Sequence, residues 1–90
     1  MENLEYKVSK LKQHYDNLFC DEFYNRCHID VIDNYDIVIS ANTEGLLLLV
    51  EELITLCNNG NIGAHYHLDE AGMANKCEKP VVFQLISLEK

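Results

Sequence analysis

The residues of this chain best suited to chemistry lie in one short run, Gly63-Ala64-His65-Tyr66-His67-Leu68-Asp69-Glu70. The run alternates. In a β-strand, His65, His67 and Asp69 project from one face, and Ala64, Tyr66 and Leu68 from the other. Two imidazoles and a carboxylate in register have three uses. They can ligate a metal: His-x-His puts two good zinc ligands on one strand face, and Asp69 supplies a third beside an open position. They can move protons, since histidine with a carboxylate is the usual acid–base pairing, and His14 and His28 are further candidates. Or they can receive a charged group of a partner. Against all three stands the ordinary role of a histidine pair on a half-exposed sheet, which is to hydrogen-bond its neighbours.

The rest of the chain supplies little that an enzyme needs. It has no Gly-rich phosphate loop, no Gly-x-Ser-x-Gly and no His-Glu-x-x-His. Cys27 and His28 are adjacent, and adjacent strand residues face opposite ways, so they make a poor nucleophile–base dyad. The cysteines at 20, 27, 57 and 77 form no Cys-x-x-Cys pair and match no zinc-finger spacing. Free thiols are expected, with Cys57 a small core residue on a leucine-rich helix face. No cofactor is implied.

The charge has two readings, plain solvation of a small acidic domain or a surface that faces a partner. Lys and Arg number 7 against 15 Asp and Glu, a net charge of -8. Nucleic acid requires the opposite sign, and an anionic membrane surface would repel the chain. A basic protein would be attracted, and encounter would be faster. Asp16, Asp21, Glu22, Asp30, Asp33 and Asp36 are opposed only by Arg26. Glu44, Glu51, Glu52, Asp69 and Glu70 have no basic residue among them. Positive charge is confined to Lys7, Lys10 and Lys12 and to Lys76, Lys79 and Lys90 near the end. Tyr24 and Tyr35 stand in the acidic, irregular stretches. Tyrosine beside carboxylates is a composition common in protein-binding hot spots. Tyr15 and Tyr66 fall on apolar faces and read as core. Charged first residues, no apolar leader and no membrane-length apolar run give the expectation of a cytoplasmic protein.

The elements that position these residues follow from periodicity. Leu4, Val8, Leu11, Tyr15 and Leu18 form one stripe of a helix over about 3–20, with Glu2, Glu5, Lys7, Lys10, Lys12 and Gln13 off it. Residues 21–27 read as a connection. Residues 28–33 and 36–41 are β-prone, and Asp33-Asn34-Tyr35-Asp36 between them is a hairpin turn in which Asn tolerates positive φ. Asn42 or Thr43 caps a second helix, with Glu44 at its positive end. Leucines cover most of its circumference, so it should be central, between the sheet and either the first helix or a second subunit. Gly60 ends it near C′. Strands 64–69 and 81–88 follow, separated by a polar loop.

The expected fold is α+β in the order α-β-β-α-β-β. It is one domain over 1–90 with a four-stranded mixed sheet and two helices packed on one face. Strands 36–41 and 64–69 should be parallel and joined by a right-handed crossover if they share a sheet.

The pattern of a β-prone run, Glu44-Gly45-Leu46 opening a leucine-rich helix, then His65, His67, Leu68 and Asp69, then an apolar closing strand, resembles the immunity protein 32 family of bacterial polymorphic toxin systems. The resemblance covers about residues 36–88, a β-α-β-β core. It leaves 1–33, the first helix and strand, as an N-terminal extension. It implies a small α+β inhibitor of a toxin encoded beside it, and the acidic charge of the chain adds the expectation that this toxin is a basic protein such as a nuclease. The expected contact residues are His65, His67, Asp69 and Glu70, surrounded by Asp30, Asp33, Tyr35, Asp36 and Glu44. Two alternatives stand beside it. One is a zinc-binding or acid–base enzyme using His65, His67 and Asp69. The other is a structural module that forms a homodimer through the leucine-rich helix or the last strand.

Overall fold

The computed structural model describes residues 2–59 and 61–88, with side chains for all of these except Glu2, Asn3, Leu18 and Asn59. Gly60, the expected helix stop, and Lys90 lie outside the described residues, as do the side chains of Glu2 and Leu18. The elements are α1 (Glu2–Leu18), α2 (Asp21–Arg26), β1 (Ile29–Asn34), β2 (Asp36–Ala41), α3 (Thr43–Asn59), β3 (His65–Leu68), β4 (Lys76–Cys77) and β5 (Val81–Gln84). The protein is α+β.

The single four-stranded sheet is replaced by two smaller ones. β2, β1 and β4 form a mixed sheet in that order, β1 antiparallel to β2 and parallel to β4. β3 and β5 form an antiparallel ribbon. β2 and β3 therefore share no sheet, and the expected parallel crossover does not form. The reason lies in the segment that reads as a polar loop. The Ile29 carbonyl accepts the Asn75 N–H at 2.7 Å, and the Val31 carbonyl accepts the Glu78 N–H at 2.9 Å. Asn75 Oδ1 accepts the Ile29 N–H and Glu78 Oε1 the Asp33 N–H, each at 2.9 Å. Loop backbone and side chains thus occupy the second edge of β1 and complete that sheet, while β3 pairs with β5. The last strand is also shorter than expected, ending at Gln84 rather than residue 88.

The expected connection at 21–27 is largely helical. Phe19 packs edge-on against Phe23 and stacks on Tyr24, with ring centroids 4.4 and 5.4 Å apart, and this cluster turns the chain from α1 into α2. Asp21 and Glu22 in the first turn and Arg26 in the last suit the helix dipole.

The core of buried apolar side chains is Ile29, Val31, Leu48, Leu68 and Ala74 among the described residues, all but Ala74 fully buried. α3 lies at the centre and packs against α1, α2, β2 and β3. The face of α1 turned inward is Val8, Ser9, Lys12 and Tyr15, while Leu4 and Leu11 of the expected stripe are exposed. Lys12 Nζ reaches Glu51 of α3 at 3.5 Å, which fixes that rotation. β1 belongs to the expected extension, yet it supplies two of the buried core side chains. It holds β2 in place and is integral to the fold.

Candidate functional site

The β3 strand alternates as its sequence requires. His65 and His67 are exposed, Tyr66 is half-buried and Leu68 is fully buried. The two imidazoles stand edge to face, centroids 4.7 Å apart. Across the ribbon His65 is paired with Gln84 and His67 with Val82, which is itself half-exposed. His65 Nδ1 lies 3.2 Å from the Gly63 carbonyl oxygen, which can only accept, so Nδ1 is the donor in that bond.

Asp69 parts from the pair. It follows the strand's end, and its Oδ1 accepts the Gly72 N–H at 2.7 Å. The Asp69 carbonyl accepts the N–H groups of Gly72 and Ala74, each at 2.9 Å. The Tyr66 hydroxyl donates to the Gly72 carbonyl at 3.1 Å. Gly72 runs so close to the His67 carbonyl that an added Cβ would collide with that oxygen. Asp69 therefore organises the loop behind β3 and is no third ligand beside the histidines. Among the described residues no three His, Cys, Asp or Glu side chains are grouped to hold a metal ion. Glu70 is exposed at the start of that loop. Burial, followed by the carboxylates of Glu52, Asp69 and Glu51, pushes the Tyr66 hydroxyl up to about 12, so it stays a donor.

A second concentration of expected residues is the β1–β2 hairpin. Asn34 pairs directly with Asp36, which leaves Tyr35 alone at the tip. Tyr35, rather than Asn34, takes the positive φ, at 64°, and its ring is fully exposed. Left-handed backbone is uncommon for a bulky residue and costs about 1–2 kcal/mol. Asp33 and Asp36 flank the ring and are exposed. Asp30 is half-buried, and its Oδ2 lies 3.0 Å from His28 Nε2, so it already has a hydrogen-bond partner. β1 turns Ile29 and Val31 to the core, and Asp30 and Ile32 to the other face, where Asp30 aligns with Ser40 and Lys76, and Ile32 with Val38.

Glu44 is half-buried in the first turn of α3, just beyond β2. Asn42 anchors that turn. Its Oδ1 accepts the Gly45 N–H at 2.8 Å, and its Nδ2 donates to the Arg26 carbonyl. A Cβ on Gly45 would collide with the His28 carbonyl oxygen, so only glycine lets β1 pass this close to the helix start.

The charge is unevenly placed along the chain. Residues 27–75 contain no Lys or Arg and eight acidic residues, which equals the whole net charge of -8. Elsewhere seven acidic residues balance the seven basic ones. Glu51 faces the α1–α3 contact, where Lys12 reaches it, and Glu52 beside it is half-buried. Glu51 is buried and accepts the Thr55 hydroxyl at 2.7 Å. Burial, then the neighbouring Glu51 carboxylate, raises the Glu52 pKa above its ordinary value. These two acids serve packing, leaving Asp33, Asp36 and Glu70 as the carboxylates of this segment most accessible to a partner.

Sequence reasoning overlooked Asn75 and Glu78, which close the edge of β1, and the exposed Ile37 and Val38 on β2. The signal for the latter was the unbroken Ile37-Val38-Ile39 run. The four cysteines are free thiols; Cys57, expected in the core, is exposed near the end of α3, whereas Cys27 donates to the carbonyls of Phe23 and Glu44, and burial raises its pKa. Among the described residues no helix is long and apolar enough to cross a membrane.

Residues 36–86 match the model of the family described as immunity protein 32. The match begins after Tyr35 and takes in β2, Glu44-Gly45-Leu46, the β3 histidines and β5. No curated protein and no solved structure matches the chain.

Proposed function

Because the chain belongs to the immunity protein 32 family, we propose that it binds a cognate bacterial toxin and neutralises it by direct contact, without chemistry of its own. The family match carries this reading, and the charge agrees with it. A basic toxin, a nuclease above all, binds anionic substrate, and a body with net charge -8 competes for the same cationic groove. The contact is built on the hairpin tip and the β3 histidines. Tyr35 is the aromatic anchor and Asp33 and Asp36 steer encounter, with Glu44 and Glu70 at the rim. His65 and His67 add hydrogen-bonding groups beside Val82. Asp30 and Asp69 act by position, one holding His28 and the other the loop behind β3.

The test is co-expression. Cells producing the toxin encoded beside this gene should survive when this protein is present, and the two should purify as a complex. Toxicity that persists, with no complex formed, overturns the proposal.

A further inference from the structure

We infer that the toxin docks by adding a strand to the free edge of β2. This rests on the immunity reading above and specifies the contact.

β2 ends its sheet, since the order is β2-β1-β4. In the antiparallel ladder with β1, alternate residues turn their backbone groups inward. Asn42 N–H donates to the His28 carbonyl, and the Ile29 and Val31 carbonyls serve the β4 side, which sets the phase. Asp36, Val38 and Ser40 therefore bond β1. Ile37, Ile39 and Ala41 turn their N–H and C=O groups to the open edge.

Sheet edges in natural proteins are usually blunted by short length, Pro, Lys or bulges. β3 and β5 have four residues each and β4 has two, and Pro80 precedes β5. β2 has six residues, an Ile-Val-Ile centre, and no Pro, Gly or Lys. Ile37 and Val38 are more than 40 % exposed there. An incoming strand gains main-chain hydrogen bonds along the edge and apolar contact on both faces.

The occupant is a cationic partner strand rather than a second copy. Asp33 and Asp36 lie at one end of β2 and Glu44 at the other. Two copies pairing antiparallel about a two-fold axis would set the hairpin acids of one beside Glu44 of the other, with net charge -8 on each. A toxin strand flanked by Lys or Arg meets both acidic ends with the right sign.

Ile37→Pro removes one outward N–H and spares the β1 ladder, while Ile37→Val keeps that N–H with a smaller apolar side chain, and Ile37→Thr keeps it with a side chain that is smaller and carries a hydroxyl. Binding of these variants to the inactivated product of the adjacent gene is compared with wild type, and hydrogen exchange is followed in the complex. Ile37→Pro should weaken binding about tenfold or more, as for one or two lost backbone hydrogen bonds, and Ile37→Val and Ile37→Thr should weaken it less. The amides of Ile37, Ile39 and Ala41 should become protected on binding. Thermal unfolding of Ile37→Pro in the absence of toxin verifies its fold, and the exchange pattern of the wild-type complex decides the matter if that variant unfolds. A complex in which those three amides exchange as fast as in the free protein overturns strand addition and leaves the immunity reading standing. Absence of any complex overturns both. Protection of the same amides in the protein alone, with a mass that rises with concentration, assigns the edge to a second copy and overturns the inference.

Discussion

Asn42 holds His28 by two hydrogen bonds: the Asn42 N–H donates to the His28 carbonyl at 3.1 Å, and Asn42 Oδ1 accepts the His28 N–H at 2.9 Å. The same Oδ1 caps α3 through Gly45 N–H. One side chain thus ties the start of β1 to the start of the central helix. Asn42→Ala should cost about 1–2 kcal/mol, the upper range for a lost cap. Gly45→Ala forces a Cβ into the His28 carbonyl and should cost about 1–3 kcal/mol or more. Both appear in thermal unfolding, where about 1 kcal/mol shifts Tm by about 4–8 °C in a chain of this size.

Tyr35 should show stability and binding moving in opposite directions. Asn accepts left-handed backbone more readily than Tyr, so Tyr35→Asn should leave the fold unchanged or stabilise it by about 0.5–1 kcal/mol. The same change removes the exposed ring and should weaken toxin binding by about 2 kcal/mol, roughly thirtyfold. Chemical denaturation and titration calorimetry measure the two effects. A variant that loses stability and keeps full affinity would assign the ring to folding.

The histidines and Asp69 should separate in the same way. The double variant His65→Ala, His67→Ala removes two exposed rings and should change stability by about 0.5 kcal/mol or less. Asp69→Ala leaves the Gly72 N–H without its side-chain acceptor and should cost about 1–2 kcal/mol. Only the double variant should lower toxin affinity while Tm stays near wild type.

Glu52 gives a pH signature. Burial, then the Glu51 carboxylate, raises its pKa in the folded state, while the Lys12 ammonium opposes them. A carboxyl whose folded value is raised favours folding fully below its ordinary pKa, and that contribution is lost as pH rises through the folded value. Glu52→Gln stays neutral, so it should raise Tm at pH 7, and the difference from wild type should shrink as pH falls toward about 4.5. An equal difference at every pH would show that the gain is not electrostatic.

The sequence was most legible where period and chemistry agreed. The histidine–leucine alternation of β3 gave the division of His65 and His67 from Tyr66 and Leu68; which of the two faces is exposed came from the structure. A cap at Asn42 or Thr43 and a central α3 followed from residue type and from leucine density, and the structure gives the cap to Asn42. The sheets were less legible because strand partners are chosen by long-range competition. The polar run ending at Lys79 offers no β pattern, yet Asn75 and Glu78 use side-chain oxygens to complete the edge of β1. α2 was missed because six residues are too few to show a helical period; its aromatic pairing with Phe19 is a tertiary signal. Asp69 kept the right residue type for a ligand, but the strand ended one residue too early and a turn claimed its carboxylate.

The most direct test of a steered, acidic toxin contact is the association rate with the adjacent gene's product, measured by stopped flow at low and high salt. The proteins compared are wild type and a variant carrying Asp33→Lys, Asp36→Lys and Glu44→Gln. At low salt the variant should associate about tenfold more slowly or worse, and the two rates should converge as salt screens the charges. Equal rates at low salt would contradict the proposal that these carboxylates guide the toxin to its inhibitor.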